Sequence, residues 1–265
     1  MQSEPRRQGL EFGLRATSAD SLDLIWRGPL AQSSLAFSGR IAILIVVGFA
    51  ALCIDVPLSR MAFYERGLSR LHGFLESMEP FGQPMATVIT ATAILLCSWR
   101  LRPGVPRLLA CSLGAGLMAD LFKLLLSRTR PRAFDWTGGV LATFNGFLPG
   151  LGRGSPSQGF PSSHTALAMG FGLALATMFP EGRWLFMAAT ALVALQRIEC
   201  GAHFLSDTCW GAAVGFAVAF AMFHPRFLGS WFDRREARRW ARAAAEPNAT
   251  AESPESRLDA QRQAS

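Results

Sequence analysis

The stretch Val105-Pro-Arg-Leu-Leu-Ala-Cys-Ser-Leu-Gly-Ala-Gly-Leu-Met-Ala-Asp120-Leu-Phe-Lys123-Leu-Leu-Leu126 decides the fold. Its charges sit near its two ends and the rest is apolar or small, so as a helix rising 1.5 Å per residue it can cross a hydrocarbon layer of ~30 Å. Five further apolar runs accompany it: Ile41 to Leu58, Gln83 to Trp99, Thr165 to Phe179, Trp184 to Ile198 and Asp207 to Phe223. The 265-residue chain is 50% apolar and only 17% charged. Soluble domains average roughly 25% charge, so this composition excludes an ordinary soluble domain, and its apolar content excludes extended disorder. The expected fold is all-α, a polytopic bundle of six transmembrane helices. Several runs are short for a bilayer and must extend through polar ends or be shielded by neighbours.

Working outward, residues 1–37 form a polar, basic N-terminal arm, 38–226 the six-span membrane domain, and 227–265 a basic surface helix followed by a disordered tail. Met1 to Arg40 lacks the apolar core of a cleavable leader, so the first span is expected to stay in the protein. Of the 26 basic residues, 25 are Arg and one, Lys123, is Lys. With both termini cytoplasmic, 17 Arg lie on that side and 8 Arg plus Lys123 on the other. The positive-inside bias therefore places the termini in the cytoplasm, in a bacterial inner membrane with any site at the far side facing the periplasm. Leu68, Leu71, Leu75 and Met78 recur at helical spacing, which predicts an interfacial helix between the first two spans. The long segment Phe134 to Phe160, rich in Gly, reads as a lid in the head-group layer or as a passive connector. The five cysteines form no close-spaced pair and read as small hydrophobes.

Three polar clusters interrupt the apolar pattern on that far side, where ionisable groups at span ends are functional candidates. In the first, Asp120, Lys123, Ser127 and Arg130 follow at helical spacing, and Pro131 forces Arg130 out of the helix so that the chain can turn back and the two cations converge. Alternatively, Lys123 merely pairs with Asp120, and Arg128, Arg130 and Arg132 reach lipid head groups. In the second, Phe160-Pro161-Ser162-Ser163-His164 opens a helix whose free N–H groups cradle anions. In the third, Arg197 precedes His203 and Asp207; the latter two lie four apart, so on a helix the carboxylate can fix the imidazole tautomer. Each cluster alone also admits a structural reading, a capped helix or a surface His–Asp pair. Together they supply three cations, two histidines and a carboxylate, the inventory for phosphoryl transfer through a covalent phosphohistidine. No acidic cluster accompanies them, so neither metal nor organic cofactor is called for.

These motifs, Lys123 with Arg130-Pro131, Pro161-Ser162-Ser163-His164, and Arg197 with His203 and Asp207, make the chain resemble the type 2 phosphatidic acid phosphatase superfamily, which includes bacterial acid phosphatases and vanadium haloperoxidases. The resemblance is to its integral-membrane lipid phosphatase branch. It implies that Lys123, Arg130 and Arg197 bind phosphate, helped by Ser162 and the backbone at Ser163. It makes His203 the nucleophile, Asp207 its orienting partner, and His164 the general acid that later activates water. Two positions depart from the family pattern. Ser163 replaces a usual Gly, which costs on the order of 1 kcal/mol if the site needs φ > 0. Gln196 replaces a usual Ser before Arg197.

The expected activity is metal-independent hydrolysis of a lipid phosphate or diphosphate on the non-cytoplasmic face. The partners are the lipid substrate and membrane lipids, with no nucleic acid. A lipid-to-lipid phosphotransferase would carry identical motifs, and a non-enzymatic lipid-binding or transport protein could keep the fold. His72 and His224 are expected at the surface or an interface, and Glu199 as a solvated loop charge or, alternatively, as a group that positions water or substrate.

Overall fold

The computed structural model describes residues 34–148 and 155–250. The expectations for the N-terminal arm and for the last residues of the tail fall outside that range. In chain order the elements are α1 (Ser34–Ala51), α2 (Asp55–Ser59) continuing as a π-helical turn to Tyr64, α3 (His72–Glu76), a 3-10 turn Glu79–Gly82, α4 (Pro84–Cys97) and α5 (Val105–Lys123). Strands β1 (Leu126–Arg128) and β2 (Phe144–Phe147) follow, then α6 (Ser163–Met178), α7 (Arg183–Glu199), α8 (Leu205–Phe223) and α9 (Gly229–Thr250). Helices α1, α4, α5, α6, α7 and α8 occupy the six apolar runs.

Helix α6 is the centre of the bundle. It packs against α5, α7 and α8, and from Thr165 to Met178 every residue except Met169 is buried. A helix that is apolar on all sides needs such surroundings, which is why its sequence shows no amphipathic stripe. Phe171, Ala174 and Met178 meet Leu108 and Cys111 of α5 and Phe216 and Ala219 of α8 in the core. Small residues permit close approach where lipid offers no hydrophobic drive for helices to associate. A Cβ at Gly211 of α8 would collide with the Ser162 carbonyl oxygen, so glycine there lets α8 seat the start of α6. Outward-facing positions are apolar: Val46, Ile89, Leu96, Leu117 and Trp184 are all exposed.

By length and composition two described helices can cross a membrane, Arg102–Lys123 and Leu205–Phe223; a third is available if Gly39–Ala51 and Asp55–Tyr64, bent by 77°, act as one. The expected first span, Ile41 to Leu58, is therefore broken. The break places Asp55 in a fully buried ion pair with Arg128, which a straight helix would not reach.

Three other expectations are corrected. The chain is mostly helical, as expected, and the departure is one small antiparallel pair, β1 and β2, with Leu126 opposite Phe147 and Ser127 opposite Gly146. Helix α5 accordingly ends at Lys123, and the chain turns into a strand well before Pro131. The interfacial helix between spans is three short pieces, Ser69–Leu71, His72–Glu76 and Glu79–Gly82. The tail remains helical to Thr250. Its α9 is tied to the start of α5: buried Arg107 bonds Asp233 at 2.5 Å and pairs with Glu236 at 2.9 Å. That contact turns Arg234, Arg235, Arg238 and Arg239 away from the bundle, around a surface crevice with Trp231.

Candidate active site

Helices α5 and α7 end, and α6 and α8 begin, at one side of the bundle. Lys123 is the last residue of α5, Arg197 lies in the last turn of α7, and His164 in the first turn of α6. Arg130 follows β1 in extended backbone (φ −73°, ψ 150°), the conformation that Pro131 imposes on its predecessor. His203 sits in the short connection between α7 and α8. These five side chains line one cavity of about 360 Å³, together with Asp120, Ser163, Gly82, Leu117 and Leu167.

His203 is buried, and its Nδ1 lies 2.6 Å from the Gly159 carbonyl oxygen. A carbonyl only accepts, so Nδ1 carries the proton and donates, leaving the Nε2 lone pair free. Burial pushes the imidazole pKa well below its ordinary value, and the nearby Arg130 and Lys123 charges lower it further against the raising effect of the Gly159 bond. The balance of these effects favours the neutral ring. Arg130 points its buried Nε at no hydrogen-bond partner among the described residues. Burial, with Arg132 and Arg197 alongside, holds the guanidinium below its usual pKa. Lys123 pairs with Asp120 at 2.9 Å, and Ser163 Oγ donates to the same carboxylate oxygen at 2.5 Å.

Two of the expected contacts differ. Asp207 Oδ2 is 3.9 Å from His203 Nδ1, beyond a hydrogen bond, because that nitrogen is already engaged by Gly159. Asp207 instead accepts from the Phe204 backbone N–H at 2.8 Å, closing the first turn of α8, and from Arg128 Nη1 at 2.5 Å. Ser162 is absent from the cavity lining: it is buried, and its hydroxyl caps α6 by accepting from Thr165. Ser163 is helical; the non-glycine residues with positive φ among those described are Arg66 and Leu148, so the glycine this position usually carries is not needed for backbone freedom.

Residues 104–228 match the family model of the PAP2 superfamily. The likeness to that superfamily covers a little under half of the chain. It is similar to two curated proteins, each named Lipid A 1-phosphatase: one from Rhizobium johnstonii, 34% identical over 102 residues, and one from Rhizobium etli, 34% identical over 101. The matched part is 38% of this chain and 39% and 41% of theirs, so the match spans about two fifths of these relatives' length. No solved structure matches the chain. The PAP2 segment contains all eight residues singled out from the motifs, of which Lys123, Arg130, Ser163, His164, Arg197 and His203 reach the cavity.

Sequence reasoning missed two groups around this site. Arg128 is fully buried and joins Asp55 at 2.7 Å to Asp207 at 2.5 Å, so it reaches no head group. Its only sequence signal is its place in a run of alternating arginines. Glu79, outside the matched segment, lies 2.7 Å from Arg197 and 3.7 Å from His164; nothing in its local sequence marks it. Glu199 is likewise not solvated: it is buried and pairs with His72 Nδ1 at 3.0 Å.

Proposed function

We propose that the chain is a metal-independent integral-membrane phosphatase that hydrolyses a lipid phosphate monoester through a phosphohistidine, with six spans, cytoplasmic termini and the site at the far membrane face. The observation that carries the reading is the convergence of Lys123, Arg130 and Arg197 with His164 and His203 on a single cavity at one end of the helices. Head-group phosphate and span-end cations lie at the same depth, and the outward apolar side chains leave room for acyl chains. The names of the Rhizobium relatives make a lipid A 1-phosphate the first substrate to try.

The cations neutralise the non-bridging oxygens while the His203 Nε2 lone pair attacks phosphorus. As the N–P bond forms, the P–O ester bond breaks, and its electron pair leaves with the lipid oxygen, which takes a proton from His164. Neutral His164 then removes a proton from water as the water oxygen attacks phosphorus and the N–P bond breaks. Phosphate leaves, and both histidines return to their starting states. Arg128, through Asp207, holds the end of α8 next to the nucleophile and does not touch phosphate.

The test is phosphate release by purified protein in detergent with a single lipid phosphate and no other lipid acceptor. Release that persists in excess chelator supports the reading. Loss of activity in chelator contradicts metal independence, and release that begins only when an acceptor lipid is added makes the protein a transferase.

A pH prediction follows from His203. Its lowered pKa keeps it neutral as pH falls through the ordinary imidazole range near ~6.5. The acid limb of kcat/KM, once the substrate's own phosphate ionisation is allowed for, is therefore expected below that value. An acid limb above ~6.5 that belongs to the enzyme would contradict a buried neutral nucleophile.

A further inference from the structure

Glu79 lies behind the cavity, against two of its lining residues, Arg197 and His164, on the turn between α3 and α4, an element that none of the three motifs includes. Resting on the functional reading above, we infer that Glu79 is a positioning residue: its carboxylate locks one edge of the Arg197 guanidinium and, from 3.7 Å, supports positive charge on the His164 ring.

Both oxygens of Glu79 are engaged. Oε1 is 3.7 Å from His164 Nε2 and accepts from Gln83 Nε2 at 3.1 Å. Oε2 pairs with Arg197 Nη2 at 2.7 Å and accepts from Gln196 Nε2 at 3.3 Å. Gln196 Oε1 in turn accepts from Arg197 Nε at 2.5 Å. Glu79 and Gln196 thus occupy the Nε/Nη2 edge of the guanidinium and leave its Nη1/Nη2 end for phosphate oxygens. The amide at position 196, where the family usually has Ser, bonds to both Glu79 and Arg197 and so belongs to the same device.

The turn reaches this depth because of Gly82. A Cβ there would stand 2.6 Å from Val193 Cγ1 of α7 and 3.0 Å from the His164 carbonyl oxygen. Only a residue without a side chain lets the turn press against both helices and bring Glu79 to their ends.

The charges around His164 make the need for a carboxylate explicit. Lys123 and Asp120 face the cavity from α5, Arg130 from the loop after β1, Arg197 from α7, and His203 from the connection before α8. Asp120 is already taken by Lys123 and Ser163. Burial, and after it the Arg197, Lys123 and Arg130 charges, push the His164 pKa down to about 4, and Glu79 is the carboxylate that opposes them from beside its Nε2. Without that carboxylate, the acid loses its proton at lower pH.

The test compares wild type, Glu79→Gln, Glu79→Asp and His203→Ala on two substrates: a lipid phosphate with an alkoxide leaving group, and 4-nitrophenyl phosphate, whose leaving group needs little protonation. For Glu79→Gln the expected loss on the lipid substrate is about tenfold or more in kcat, short of the ~10²–10⁴ that a general acid itself contributes. KM moves less than about threefold, and the alkaline limb of the kcat profile shifts toward acid. On 4-nitrophenyl phosphate the same variant loses much less. Glu79→Asp keeps the charge and therefore keeps the limb near its wild-type position. Equal losses on both substrates with an unmoved limb would mean that Glu79 only packs the site, and full activity of Glu79→Gln would overturn the inference outright. In both cases active wild type and inactive His203→Ala leave the phosphatase reading standing. Wild type without turnover on any phosphate ester removes that reading, and this inference with it.

Discussion

Phosphate release is expected to fall by about 10⁴-fold or more when His203 is replaced by alanine, with the fold unchanged. The imidazole is buried and held by one hydrogen bond to the Gly159 carbonyl, so its removal leaves a small void and no unpaired charge. The phosphate cradle of Lys123, Arg130 and Arg197 survives, so lipid phosphate still binds while the group that attacks is gone. Rapid-quench experiments with labelled substrate provide the complementary measurement. Wild type should accumulate an acid-labile, protein-bound phosphate, and His203→Ala should form none. A variant that keeps a hundredth of wild-type turnover, or that still becomes labelled, would place the nucleophile elsewhere.

The second large effect is on stability. Arg128→Ala is expected to destabilise the protein by about 3–5 kcal/mol, because it strips the guanidinium partner from two buried carboxylates. Arg128 is inaccessible to solvent. It bonds Asp55, Asp207 and Ser206 at 2.7, 2.5 and 2.7 Å, and Thr143 at 3.0 Å. Its guanidinium lies 4.6 Å from the Phe144 ring and 4.5 Å from that of Phe204. Lysine cannot replace it, since a single ammonium has neither the fork nor the flat face that these partners use. Thermal unfolding in detergent reads the effect directly. Arg128→Ala with a wild-type transition would show that the network contributes nothing; Asp55→Asn, which removes one of the two carboxylates, should be milder than Arg128→Ala.

The helical runs were legible because an apolar stretch of bilayer length has few other uses, and the cavity residues because charged groups are rare at the ends of such stretches. The breaks were not. Nothing in Ile41 to Leu58 marks the 77° bend after Ala51 except Asp55, and its meaning depends on Arg128, 73 residues later. Spacing alone put Asp207 on His203, since residues four apart share a helix face. In the structure His203 precedes α8, whose first residue is Leu205, so that rule does not apply to the pair. Glu79 was invisible for another reason: it reaches the site through a glycine-dependent approach of three elements, and no local pattern encodes a tertiary distance. Gln196, by contrast, stood out as a departure from the family pattern, and its partner proved to be the residue that the motifs omit.

The Gly159 peptide unit ties the machinery together mechanically. Its N–H donates to the Arg128 carbonyl at 2.8 Å and its carbonyl accepts from His203, while four residues later the same strand of chain becomes the helix that presents His164. On the proposed mechanism, the attacking group and the proton donor therefore share one short tether. Any displacement of that tether would disarm both at once, so the enzyme should pass between competent and idle states without a half-active intermediate.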